Sequence, residues 1–282
     1  MRLARMSVLT VLLFASCGPA ADPSARSGAD FEAEFQDLCS ELGDDMASVQ
    51  GDGSDPSVGG QLLENLEEFR ADLEDLEVLE ERQKDYDNFV DAIDATIAAS
   101  ERQVEATKSR NLVAALTARA DAAESKLEVF EAVQGGDFPQ ECAGDTEESL
   151  HARVFAGSAD LVCYDFVGRF GALMSTSKGF DGPFIRDNVV PLWRDFVSDL
   201  RAILPPGESR HVAEQMASLY DRAGDALLDL GDALEQRSQS KGTAAQAGFY
   251  RASGAADRIA EDFGLSQCTN ILGLSDVNAQ DA

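Results

Sequence analysis

Apolar residues return along most of this chain every three or four positions, the period of an α-helix that buries one face. Leu62, Leu66, Phe69, Leu73 and Leu76 follow one another in steps of four and three. Tyr86, Val90, Ile93 and Ile97 resume the pattern after a polar break over Glu80–Asp85. Leu112, Leu116, Ala120, Ala123, Leu127 and Phe130 make a further stripe that Gly135-Gly136 ends. Period-two alternation, the mark of a half-buried strand, is rare. The pattern predicts an all-α fold.

The stripes come in two sets. Phe35-Gln36-Asp37-Leu38-Cys39 stands against Ala159-Asp160-Leu161-Val162-Cys163, and Leu66–Leu73 against Trp193–Leu200, both with F-x-x-D-L. Asp137-Phe138, ahead of Cys142, parallels Asp262-Phe263, ahead of Cys268, so the offset stays between 124 and 130. An ordered similarity of this kind reads as an internal duplication. Each copy reads as four helices, and Pro205-Pro206-Gly207, which no helix interior tolerates, marks as a turn the break seen at Glu80–Asp85. Two tandem four-helix bundles are expected, at 31–142 and 146–268, joined by a linker at 143–145 and followed by a disordered tail at 269–282. The loops after the first helices differ: Gln50–Gly60 is small and polar, whereas Ser177–Asn188 carries Phe180, Phe184 and Ile185. Those three either close the end of the second bundle or form a contact for a partner.

The N-terminus has a pattern of its own. Arg2 and Arg5 precede an uncharged apolar run, Ser7–Ala15, about the length of a signal-peptide core and short of the ~20 residues of a membrane span. It leads into Phe14-Ala15-Ser16-Cys17-Gly18, which resembles the lipobox of bacterial lipoproteins, where small residues precede the cysteine to be lipidated. Phe14 stands where that motif usually has Leu or another aliphatic residue. The resemblance implies removal of residues 1–16, a palmitate-bearing Cys17, and an extracytoplasmic place on the cell membrane or an outer membrane. No later stretch is long and apolar enough to span a bilayer, so anchoring rests on the acyl chains, of which two or three hold stably. Residues 17–30, rich in Gly, Ala, Ser, Pro and Asp, read as a flexible tether reaching roughly 20 Å.

Charge narrows the partners. The chain has 52 acidic and 23 basic residues, a formal net charge of −29, and residues 1–16 hold two of the arginines. Nucleic acid is excluded, since binding it takes a basic surface. A solvated acidic coat is the plain reading, and a surface for a basic protein partner is the sharper one. In an exported chain the four cysteines besides Cys17 read as two disulfides with three connectivities. If the halves are copies, each closes its own loop, Cys39 with Cys142 and Cys163 with Cys268.

Strings that resemble catalytic motifs have simpler readings. Ser175–Lys178 and Ser238–Lys241 have the S-x-x-K form of penicillin-binding enzymes, but each precedes a glycine and reads as a helix stop. Asp52 and Asp55 lack the remaining ligands of a calcium loop. Trp193, Phe196, Tyr220, Phe249 and Tyr250 read as core before they read as a pocket. Both histidines follow a glutamate by three: Glu148-x-x-His151 and Glu208-x-x-His211. Paired E-x-x-H motifs resemble the di-iron ligands of ferritin-like bundles, which gives a metal-binding reading of the second bundle, with Asp199, Glu261 or Asp262 as further carboxylates. Against it, both motifs fall at helix starts, where the dipole favours acids in any case. The expectation is a non-enzymatic, lipid-anchored lipoprotein without a cofactor, in a structural or protein-binding role. A small-ligand or metal-binding module in the second bundle is the alternative, and an unrecognised enzyme the third reading.

Overall fold

The computed structural model describes residues 28–49, 56–177, 179–269 and 271, and among these there is no strand. The first unit comprises α1 (Gly28–Ser48), α2 (Pro56–Glu74), α3 (Gln83–Lys108) and α4 (Leu112–Gly135), then a 3₁₀ turn, Gln140–Ala143. The second comprises α5 (Glu147–Thr176), the single turn α6 (Gly182–Phe184), a π-helical turn (Ile185–Val189), α7 (Val190–Ala202), α8 (Ser209–Glu235) and α9 (Gln239–Asp262). The all-α expectation of two tandem bundles holds. Each is closed by its own disulfide, Cys39–Cys142 in the first and Cys163–Cys268 in the second.

The duplication is visible in the caps. α4 and α9 are each 24 residues long, 127 positions apart. Arg110 and Arg237, also 127 apart, both adopt a left-handed conformation, with φ of 55° and 50°. Behind them Asn111 N–H donates to the Ala106 carbonyl and Ser238 N–H to the Ala233 carbonyl, the Schellman stop of a helix. At the far ends Asp137 and Gly264 take the same left-handed position, and Phe138 N–H and Leu265 N–H reach back to Val133 and Ala260. Phe138 and Leu265 are both buried beneath the closing turn. The structure therefore corrects the repeat register there: Asp137-Phe138 corresponds to Gly264-Leu265, not to Asp262-Phe263. It also corrects the reading of Ser238–Lys241, since Ser238 is the N-cap of α9 and the string opens a helix instead of ending one.

Each unit has its own core. Phe31, Phe35, Phe69, Tyr86, Phe89 and Phe138 fill the first, with Phe35 and Phe138 ring centroids 4.8 Å apart. Leu76 lies beyond the end of α2 yet remains buried in it. The Tyr86 hydroxyl donates to the Leu73 carbonyl, and its pKa is pushed up to about 12, chiefly by burial. Phe155, Phe166, Trp193, Phe196, Tyr220 and Phe249 fill the second core, with Tyr250 packed against it. Of the five aromatic residues read as core, four are core, and Tyr250 is partly buried against it. Trp193 Nε1 donates to the Tyr220 carbonyl at 2.6 Å, and its ring lies where a Cβ on Gly224 would intrude, at 2.8 Å. That glycine lets α7 approach α8. The π turn has a local cause: Pro191 cannot donate to the carbonyl four residues back, so the ladder ahead of it widens and Val190 N–H reaches Ile185 instead.

Two boundaries differ from the sequence reading. α1 begins at Gly28, inside the stretch read as tether, because Phe31 and Phe35 are already core residues. Ile271, read as part of a disordered tail, is 7% exposed and belongs to the second core.

The units meet along α4 and α5. Gly157 of α5 lies so close to α4 that a Cβ there would stand 2.8 Å from Ala120 Cα. α4 thus buries two faces, Val129 and Val133 toward its own core and the small residues around Ala120 toward α5. For this reason Leu127 and Phe130 of the single stripe read from sequence are only partly buried, and Leu112 is 43% exposed.

Candidate functional site

Cys17, on which the lipobox reading turns, lies outside the described residues, as do Asp52, Asp55 and Lys178. The remaining site candidates can be placed.

The two E-x-x-H motifs do approach one another, but for another purpose. α8 begins after Glu208, whose side chain makes no cap, and four N–H groups at a helix start need acceptors. Glu148 supplies acceptors for two of them from the first turn of α5. Its carboxylate accepts from Ser209 N–H at 2.6 Å, from Glu208 N–H at 3.2 Å and from the Ser209 hydroxyl. These donors, the Ser209 hydroxyl foremost, hold its pKa below the ordinary carboxylate range. His151 pairs with Glu147 at 3.5 Å, and His211 is exposed. Glu148, His151, Glu208 and His211 therefore do not form the di-metal constellation. Among the described residues no group of three or more His, Cys, Asp or Glu is arranged to hold a metal ion.

The apolar loop of the second unit divides in two. Ile185 is fully buried and Phe184 packs against the core, so those two close the end of the bundle. Phe180 alone is exposed, at 45%, with its ring 6.0 Å from that of Phe184. Asp181 caps the short α6 by accepting from Phe184 N–H at 2.9 Å, and Gly182 fits against the Gly231 carbonyl of α8, where a Cβ would come within 2.5 Å. A partner contact built on Ile185 is thereby removed.

A buried acid that the sequence reading did not single out organises the junction. Asp160 of α5 has a fully buried side chain. Oδ1 accepts from Gln267 N–H at 2.7 Å; Oδ2 accepts from Ser266 N–H at 3.1 Å and the Ser266 hydroxyl at 2.9 Å. Arg119 of α4 reaches the same oxygen at 3.3 Å. One carboxylate thus holds the turn that carries Cys268 and ties it to the first unit. Asp160 precedes Cys163 by three and so shares its helix face, and an acid on a core-facing face was the available signal. Nearby the Tyr220 hydroxyl lies 3.0 Å from Asp257 and 3.2 Å from the Cys268 carbonyl. Burial first, then Asp257, raise its pKa far above the ordinary phenol value.

One surface groove is acidic. Between α3 and α4 a groove of about 430 Å³ is lined by Asp85, Asp91, Glu128 and Glu131 with no basic side chain among its walls. Comparison with known families, with curated proteins and with solved structures found no match to this chain.

Proposed function

We propose that this is a non-enzymatic, extracytoplasmic lipoprotein, acylated at Cys17, whose acidic helical body serves a structural or protein-binding role. The observation that carries the reading is the pair of disulfides, each buried in a core. Such bonds persist in an oxidising compartment, and the run Ser7–Cys17 supplies the route to one. No helix among the described residues is long and apolar enough to cross a membrane, in keeping with an anchor made of acyl chains. The acid-lined groove between α3 and α4 supports a basic protein as the partner class, because opposite charge steers encounter and like charge rejects competitors.

The test is metabolic labelling with radioactive palmitate in cells making the wild type or Cys17→Ser. Label is expected in the wild type and absent from the mutant, which should leave the membrane fraction. An unlabelled wild type, or a mutant still held on membranes, overturns the proposal.

A further inference from the structure

At the junction of the two units lies a groove whose chemistry opposes that of the acid-lined groove between α3 and α4. It has a volume of about 740 Å³ and is walled by the α3–α4 corner on one side and by Gly264 and Ser266 of the closing turn on the other. Its charged lining residues are Arg110 and Arg119, and none of its walls carries an acid, in a chain with more than two acids for every base. Arg119 is fixed by the 3.3 Å contact to Asp160, which already accepts three other hydrogen bonds. Arg110 is exposed and makes no ion pair or side-chain hydrogen bond among the described residues. Its backbone is held left-handed by the α3 stop, a conformation that residues other than glycine adopt rarely. The first turn of α4 starts at the same place with Leu112 and adds the positive end of a helix dipole. Apolar walls complete the groove: Ala106, Ala115 and Leu116. Leu112 is 43% exposed and Val113, beside it, 46%.

We propose that this junction groove binds a small organic anion, a carboxylate or phosphate group on a short apolar body. A guanidinium presents the planar donor fork that such oxyanions accept, and Arg110 and Arg119 both line this groove. The volume falls in the range of small-molecule sites, roughly 300–1,000 Å³. The second unit repeats the corner with Arg237 and Ser238, but Gln246 stands where the 127-residue offset places Arg119. The groove thus arises from the joining of the units and not from the repeat itself.

The experiment is ¹H–¹⁵N NMR on the full chain carrying Cys17→Ser, so that no acyl chain competes, titrated with sodium octanoate, octyl phosphate and neutral octanol. Both anions, or one of them, are expected to give saturable shifts at Arg110, Arg119 and the start of α4, with octanol at least tenfold weaker. Which anion binds more tightly distinguishes the carboxylate from the phosphate source. Arg110→Gln, at an exposed position outside both cores, should weaken binding at least fivefold with the remaining spectrum unchanged. Absence of saturable shifts with both anions, octanol binding as well as they do, or unaltered affinity in Arg110→Gln would each overturn the proposal.

Discussion

Replacing Asp160 with Asn exchanges a buried carboxylate for a nearly isosteric neutral group, and the hydrogen bonds around it set the size of the effect. The amide keeps one acceptor oxygen. Its least costly orientation leaves that oxygen toward Ser266 and Arg119 and turns NH₂ toward Gln267 N–H, which donates to Oδ1 at 2.7 Å in the wild type. That backbone donor then has no acceptor in a buried site, at a cost of about 1–3 kcal/mol. The two contacts from Ser266 fall from charge-assisted to neutral strength, each losing on the order of 0.5–1 kcal/mol. The sum is about 3 kcal/mol, taken from the second unit. Arg119→Gln should cost far less, about 0–1 kcal/mol, because Arg119 is 42% exposed and its loss leaves the other three donors in place. Trp193 is the sole tryptophan and lies buried in the second core, so its fluorescence reports that unit alone. With a slope near 2 kcal/mol/M in urea, Asp160→Asn is expected to lower the fluorescence midpoint by roughly 1.5 M, and Arg119→Gln by less than about 0.5 M. Equal shifts for the two variants would refute the assignment of Asp160 as the organiser of the closing turn, as would a shift under about 0.3 M for Asp160→Asn.

Three further outcomes are expected. The disulfides close loops of nearly equal length, with sequence separations of 103 and 105; replacing either pair by alanines should cost a similar amount, at most about 4–5 kcal/mol from chain entropy, and peptide mapping without reduction should return the same two links. Glu148 has a folded-state pKa below its ordinary value, so its stabilisation is complete above the unfolded value of about 4.3 and is lost as pH falls through the folded one. The Tm gap between wild type and Glu148→Gln should therefore be full at neutral pH and close in acid, and a gap that widens on acidification would count against the capping role. Finally, Gly157→Ala should destabilise by about 1–2 kcal/mol, since overpacking against Ala120 outweighs the gain in helix propensity. Gly168→Ala, in the same helix with open space around it, should stabilise by up to about 1 kcal/mol; equal effects at the two positions in thermal melts would place α5 wrongly against α4.

Periodicity made the helices legible because each buries a face against its own unit, and Phe69, Leu73, Tyr86, Val90, Ile93 and Ile97 of α2 and α3, named from the 4,3 spacing, lie in or against the first core. The pairing of cysteines followed from the repeat alone. α4 was harder to read, since a helix with neighbours on two sides spreads its small and apolar residues around its circumference, and a single stripe misassigns Leu112 and Phe130. Glu148 was singled out for the wrong chemistry: a glutamate three before a histidine says nothing about which backbone amides lie across the bundle. Asp160 was not singled out because its partners, Ser266 and Gln267, are more than a hundred residues away and carry no local signal. The junction groove escaped for the same reason, its two walls coming from different units.

The cysteines also have an order of appearance. The native links join the first cysteine of the body to the second, Cys39 to Cys142, and the third to the fourth, Cys163 to Cys268. A chain delivered N-terminus first therefore presents Cys39 with its proper partner before either cysteine of the second unit has emerged. By then the α3–α4 hairpin, built from contacts close in sequence and so quick to form, has brought the end of α4 into place. An oxidant acting on thiols as they arrive would reach the native connectivity directly, with no wrong bond to reshuffle over the seconds to hours that exchange takes. Delivered all at once, as on dilution from denaturant, the same four thiols have three pairings open to them. Vectorial delivery and bulk refolding should thus differ in yield, although the sequence and the final fold are the same.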